Sequence, residues 1–405
     1  MSEKLHVGDD LGLQRLAEAL HGTAILALDS EFLTERNYYP RLCLLQVGAP
    51  GLLATVDPLA VKDLRPLGEV IAAAAELVVH AGAQDLAILQ RHVGPVPEAV
   101  FDTQIAAAFL GYGHSISHAR LVEACCGVQL ARSQAYTDWA RRPLDDNQLE
   151  YALDDVRYLL PIRERLAAAL DKRGRRDWAD EELAVARRAA LTEVEPREQW
   201  RRLSGLRATK PRELAILQEL AAWREHEAQR RDIPRQRVAP DRVLLQIGRS
   251  APRRAEQLVG MRGLHPREQE RSGEAIVAAV RRGLDRPEET LPRAPSGGRR
   301  GEDPQNAVAA ALADTYLKTK ARQLDIAPQL LANRKDLESL VRSLSAGETP
   351  APRGARDDRS GPPPIRLLEG WRRQIAGDDV LRLLAGEVGL RVRVSEDGVE
   401  LIVEE

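Results

Sequence analysis

The chain has 405 residues, 43% of them hydrophobic and 30% charged, and a formal net charge of −2. That is enough apolar material for real cores, which excludes a disordered or fibrous chain, and the length predicts two to four domains. No apolar run approaches the roughly 18 residues that mark a membrane span, the start Met1-Ser2-Glu3-Lys4-Leu5-His6 lacks a signal-peptide pattern, and Cys43, Cys125 and Cys126 form neither a CxxC pair nor an even framework. The expectation is a reduced, cytoplasmic, multidomain protein with no membrane association and no evident obligate protein partner.

Thr23–Leu28 reads as a buried strand. Leu42–Val47 and Leu52–Val56 read as the next two, joined as a hairpin by Gly48-Ala49-Pro50-Gly51. Leu64–Ala75 reads as a helix, Leu77–His80 as a strand, Asp85–His92 as a short helix and Ala99–Phe101 as a short strand. Strands mixed with helices on this spacing predict an α/β layer fold. From Thr103 to about Ala190 the pattern is helical, and it is helical again from Pro211 to Gly283. A Pro/Gly-rich linker follows at 286–303, then a helical region at 304–388 interrupted by a Pro/Gly-rich insertion at 347–364. Arg391–Val394 and Val399–Val403 predict a closing hairpin. The helical half repeats internally. Ala228-Gln229-Arg230-Arg231-Asp232-Ile233 resembles Ala321-Arg322-Gln323-Leu324-Asp325-Ile326, and Gln236 and Ala239 match Gln329 and Ala332 at the same offset.

Charge is unevenly spread, −9 over residues 1–200 and +7 over residues 201–405. A basic half suits a polyanionic partner, and ordinary surface variation accounts for it equally well. Arg-rich segments occur at Lys172–Arg176, Arg230-Arg231, Arg253-Arg254, Arg281-Arg282 and Arg299-Arg300. Such segments can neutralise phosphates without reading sequence, or can be solvated helix faces. Phe32, Tyr38 and Tyr39 are candidates to stack on terminal bases, with core packing as the alternative for Phe32. Tyr136, Asp138 and Trp139 fall in a loop before the last motif.

Asp29 and Glu31 end an otherwise apolar strand, where positions i and i+2 share a face. Two such carboxylates repel unless a cation lies between them, and a divalent metal is the simplest one. A solvated strand end is the plainer reading. Asp85 falls in the first turn of a helix, where an acid complements the helix dipole, and Asp102 precedes a helix as an N-cap would. Tyr151 and Asp155 are four apart and share one helix face. Taken together, these acids can hold hard divalent ions, with an opening for a scissile phosphate.

Asp29-Ser30-Glu31-Phe32, Tyr38–Leu42, His80-Ala81-Gly82 with Asp85, Phe101–Gln104 and Tyr151-x-x-x-Asp155 resemble the ribonuclease D family of DEDD 3′-5′ exonucleases, in the branch with Tyr in its third motif. The resemblance implies a ribonuclease H-like α/β exonuclease domain at 1–200. It also implies helicase-and-RNase-D C-terminal (HRDC-like) helical domains at 208–285 and 304–388, with a β-hairpin extension at 389–405. By position, Asp29, Glu31, Asp85 and Asp155 would ligate two Mg²⁺ or Mn²⁺ ions and Tyr151 would position the attacking water. Asp102 and His80 would be supporting residues. Asp154 stands where the family has a small residue, and it points about 100° away from Asp155 on a helix. The implied reaction removes 5′-mononucleotides from RNA 3′ ends, with tRNA precursors and other small structured RNAs as partners. A DNA 3′-5′ exonuclease on the same core, and an RNA-binding module with an idle nuclease, remain alternatives. So does a metal-free fold whose acids are only caps and surface charges.

Overall fold

In the computed structural model, which describes residues 2–130, 137–206, 210–292, 304–348, 365–395 and 398–404, the chain divides into two units. The first comprises Met1–Glu31, Leu42–Leu191 and Gly301–Glu405, and the second Phe32–Arg41 and Thr192–Arg300. The boundary cuts between Glu31 and Phe32, inside a strand.

The first unit opens with β1 (Glu3–Val7), α1 (Asp10–Leu20) and β2 (Ile25–Leu33). Next come β3 (Arg41–Ala49), β4 (Leu52–Val56), α2 (Arg65–Ala73), β5 (Glu76–Val79), α3 (Ala83–His92) and β6 (Val100–Asp102). The strands form one sheet in the order β1-β4-β3-β2-β5-β6. β3 and β4 are the expected antiparallel hairpin, while β1 with β4, β2 with β5, and β5 with β6 run parallel. Leu42–Val47 of β3 and all of β4 are buried, as a strand covered on both faces requires. The sequence reading missed β1 and α1. β1 is an edge strand whose only buried residue is Val7, so it lacks an apolar run.

Helices follow: α4 (Thr103–Ala108), α5 (His118–Cys126), α6 (Asp146–Arg157), α7 (Leu159–Lys172) and α8 (Arg176–Leu191). Phe109, Leu170 and Leu183 from this part share one apolar core with Tyr316, Leu340, Leu367 and Trp371 from the C-terminal region. Trp178 stacks on Trp371 with ring centroids 5.2 Å apart, and buried Glu182 receives both Arg366 and Arg372.

The second unit contains α9 (Pro211–Arg231), α10 (Arg235–Val238), α11 (Asp241–Ser250) and α12 (Pro266–Leu284). Its core gathers Trp200, Leu217, Leu220, Leu244, Ile247, Ile276 and Val280. Back in the first unit, α13 (Pro304–Gln323) and α14 (Arg334–Ser345) precede a short turn α15 (Gly370–Arg372). A π-helical turn, Arg373–Gly377, leads into α16 (Asp378–Ala385), and β7 (Gly389–Ser395) and β8 (Gly398–Glu404) form the expected antiparallel hairpin. The internal repeat has a backbone counterpart. α9 ends at Asp232 and α13 leads to Asp325, and both acids adopt the left-handed conformation, with φ of 44° and 50°. Residues 293–303 of the expected linker and 349–364 of the expected insertion lie outside the described residues.

The α9–α12 contact is close enough to specify glycine. A Cβ on Gly283 would lie 2.5 Å from the Ile216 Cα. Backbone cannot yield as a side-chain tip does, so Gly283→Ala should destabilise the protein by about 2 kcal/mol despite alanine's better helix propensity. Thermal melting checks this, and an unchanged or raised melting temperature would contradict it.

Candidate metal centre

Along β2, Leu28 and Ser30 are buried while Asp29 and Glu31 are half-buried, which is the alternation that puts the two acids on one face. Asp155 reaches the same place from α6. One carboxylate oxygen from each of Asp29, Glu31 and Asp155 lies within 4.8 Å of the others. α6 is started by a capping box, in which Asp145 accepts from the Gln148 backbone N–H and the Gln148 side chain accepts from Asp145.

Asp85 stands apart from that triad. It is buried in the first turn of α3, where its carboxylate accepts the Ser30 hydroxyl. Its charge is still felt at the triad, as the first charge after burial raising Asp29, and it acts on Glu31 as well. Asp102 caps α4 and takes the backbone N–H groups of Ala81 and Gly82 at 3.0 Å each. It therefore ties the end of β6 to the turn from which α3 starts. Ala81 in that turn has a φ of 53°, a strained value for a residue with a Cβ. His80 is satisfied by Thr103 Oγ1 at 2.9 Å and the Ile116 carbonyl at 3.1 Å, and burial lowers its pKa to about 4. The contacts of both residues brace the loop.

Tyr151 and Asp155 lie one turn apart on α6 as expected. The Tyr151 ring is 6.1 Å from that of buried Trp139. The loop bearing Trp139 is fixed by Arg142, whose guanidinium donates to the carbonyls of Trp139 and Cys43 and pairs with Asp57. Asp154 turns away to pair with Arg157, as the 100° offset predicts. Sequence reasoning missed Ser30, Arg142 and His118. His118 Nδ1 lies 3.5 Å from Asp155 Oδ1, and its ring is 5.4 Å from that of His80. Only Ser30, standing between the two acids of the strand, carried a signal in its position.

Among the described residues, no Lys or Arg forms an ion pair with Asp29 or Glu31. Burial, followed by Asp85, Asp155 and Glu31, holds the Asp29 carboxyl well above its usual range. Burial, then Asp155 and Asp85, pushes Glu31 up to about 8. Hard carboxylate oxygens converging without a protein counter-charge suit an oxygen-preferring divalent cation.

Other sequence candidates went elsewhere. The Tyr38 hydroxyl is bonded to Glu225, Gln229 and Arg235, and its ring lies under the Arg235 guanidinium at 4.7 Å. Tyr39 packs edge-on against it. Several arginines of the Arg-rich segments have protein partners, some of them at the surface. Arg173 pairs with Asp325, Arg175 donates to the Phe109 carbonyl, Arg176 pairs with Asp171, Arg231 with Glu268 and Arg282 with Glu219. Asp138 caps its own loop through the Ala140 N–H, while Tyr136, Arg299 and Arg300 lie outside the described residues. Among the described residues, no helix is long and apolar enough to cross a membrane.

A 3′-5′ exonuclease family matches residues 6–171, and the HRDC domain family matches residues 213–280. Proteins named ribonuclease D from Nitrobacter hamburgensis and Granulibacter bethesdensis are 38% and 36% identical. The first alignment covers 91% of this chain and 92% of that protein, the second 94% and 92%. The solved structure of Escherichia coli RNase D, described as an exoribonuclease involved in structured RNA processing, superposes with a TM-score of 0.79 at 30% identity. That superposition covers 95% of this chain and 99% of the other.

The raised carboxyls have a measurable cost. Without metal, folded Glu31 holds its proton up to about pH 8, whereas an exposed glutamate releases it near 4.5. The folded state therefore binds more protons across that interval, and Glu31 costs stability progressively as pH rises through it. Melting in chelator at about pH 5 and about pH 8 should show Glu31→Gln gaining on the wild type at the higher pH. A variant that melts lower than the wild type at both pH values would contradict this reading.

Proposed function

The chain belongs to the ribonuclease D family of 3′-5′ exoribonucleases, and from that premise we propose that Asp29, Glu31, Asp85 and Asp155 hold two divalent ions, Mg²⁺ or Mn²⁺, beside the second half of β2. The observation that carries this is the convergence of Asp29, Glu31 and Asp155 within 4.8 Å. When bound, such ions lower the pKa of a water and offset charge on the leaving oxygen of a phosphodiester. The chain's own residues then have separate tasks. Asp29 and Glu31 form the rigid floor, because a strand fixes their spacing. Asp155 closes the third side from α6. Asp85, steadied by the Ser30 hydroxyl, extends the acidic surface beyond the triad. The Tyr151 hydroxyl, one turn before Asp155, orients the attacking water. Water attacks the terminal phosphorus, the bond to the preceding 3′ oxygen breaks, and a 5′-mononucleotide leaves with a new 3′-hydroxyl on the shortened chain.

We read 1–200 as the exonuclease domain, and 208–285 and 304–388 as two copies of the HRDC-like domain. The shared left-handed acid at Asp232 and Asp325 supports the second copy. The substrates proposed are RNA 3′ ends, tRNA precursors and other small structured RNAs among them, in the cytoplasm. The idle-nuclease alternative loses ground because each acid of the expected set is present.

Asp155→Asn should lower kcat on a 3′-labelled RNA by about a thousandfold or more, since each tenfold corresponds to about 1.4 kcal/mol of lost transition-state stabilisation. Tyr151→Phe should lower kcat by about a hundredfold with KM little changed. A fully active Asp155→Asn would remove the site assignment, and unchanged kcat in Tyr151→Phe would remove the water-orienting role. A matched DNA cleaved as fast as the RNA would favour the DNA exonuclease alternative.

A further inference from the structure

β3 carries one buried side chain that packing alone does not explain. Gln46 is 0% exposed, and neither its Nε2 nor its Oε1 has a hydrogen-bond partner among the described residues. A buried amide unsatisfied at both ends is costly and rare, because its groups give up water and gain nothing in return. Around it, Leu42, Cys43, Leu44, Leu45 and Val47 are buried and apolar, as a covered strand requires. A leucine or methionine at position 46 would continue that pattern without the loss.

The sheet sets its neighbours, and all of them belong to the first unit. β3 lies between β4 and β2. On the β4 side Gln46 pairs with buried Thr55, whose hydroxyl meets His6 Nδ1 at 2.9 Å. On the β2 side the connection Thr34–Pro40 is too short for a parallel crossover, so the two strands run antiparallel. A Cβ built on Gly48 would lie 3.2 Å from the Ala27 Cβ and 3.2 Å from the Val156 carbonyl oxygen. Gly48 therefore stands directly beside Ala27, on the face that α6 covers. Two residues along each strand the same face repeats, which places Gln46 beside Asp29.

Cross-strand neighbours on one face have Cβ atoms roughly 4.5–5.5 Å apart, within reach of a glutamine amide. Asp29 has use for such a donor. Burial, then Asp85, Asp155 and Glu31, oppose its ionised form, and the Ser30 backbone N–H works the other way. A metal ion takes one carboxylate oxygen and leaves the other to be satisfied by the protein. A lysine or arginine in that place would neutralise the acid and compete with the ion, whereas an amide donates a hydrogen bond and adds no charge. We propose that Gln46 is a positioning residue of the exonuclease reaction: by rotation of its side chain, Nε2 donates to the Asp29 carboxylate when the metal is bound, and Oε1 accepts the Thr55 hydroxyl. With both bonds made the buried amide is satisfied at each end. Gln46 then touches no substrate and acts through Asp29 alone, so the proposal rests on the ligand role of Asp29.

The test is Gln46→Met in the full chain, which keeps the length of the side chain and removes the amide. The Mn²⁺ concentration for half-maximal thermal stabilisation should rise about tenfold. On a short oligoribonucleotide kcat should fall about tenfold, with KM within about twofold. A side chain that only fills the core would leave the Mn²⁺ response at the wild-type value, and that result would overturn the proposal. So would a rise in KM alone, which would make Gln46 a substrate contact. The wild-type protein supplies a second readout that needs no folded variant. The side-chain ¹⁵NH₂ resonance of Gln46, assigned through its own bonds, should shift and exchange its protons more slowly when Mg²⁺ is added. A resonance unmoved by Mg²⁺ at concentrations that stabilise the protein would also overturn the proposal. Failure of the premise has a different signature. Asp29→Asn responding to Mn²⁺ like the wild type removes the ligand role of Asp29, whereas an Asp29-dependent response left intact in Gln46→Met removes only the role of Gln46.

Discussion

Repulsion between carboxylates brought together out of water is the constraint on which this structure turns. Nothing in a fold rewards three acids for sharing a space a few ångströms wide, and here a fourth adds its field from α3. Left to local preferences, Asp29 and Glu31 would sit at a solvated strand end and Asp155 on an outer helix face. The rest of the fold instead brings them together, an arrangement that suits a divalent cation between them.

Much of the surrounding architecture is what such a concentration of charge demands. Asp102 spends its hydrogen-bonding capacity on the turn before α3 and on the cap of α4, so that Asp85 has a fixed origin. Arg142 gathers two carbonyls and Asp57, which steadies the loop that packs Trp139 beside Tyr151. Arg157 draws Asp154 away from the centre. Several arginines of the basic segments also pair with acids, Arg231 with Glu268 and Arg282 with Glu219 among them.

What was legible in the sequence followed from short-range geometry. A strand's two-residue repeat sufficed for Asp29 and Glu31, a helix's four-residue repeat for Tyr151 and Asp155, and the hairpin of β3 and β4 for its glycine turn. β1 escaped because it is an edge strand with one buried residue, so no apolar run announces it, whereas α1 carried a readable signal, with Asp9 as its cap and Leu13, Leu16, Ala17 and Leu20 on one face. The partners of Tyr38 were out of reach for a different reason. Its partner Glu225 is 187 residues away in the chain. His118 was invisible in the same way, since a histidine at a helix start says nothing of an aspartate 37 positions later. Long-range pairing is where sequence reading stops.

The most direct measurement of the central claim is anomalous diffraction from crystals soaked in Mn²⁺. The account predicts ions bounded by the carboxylates of Asp29, Glu31 and Asp155, two of them roughly 3.5–4 Å apart with the second toward Asp85. Saturating Mn²⁺ with no anomalous density at these acids, in crystals whose protein is active, would contradict it.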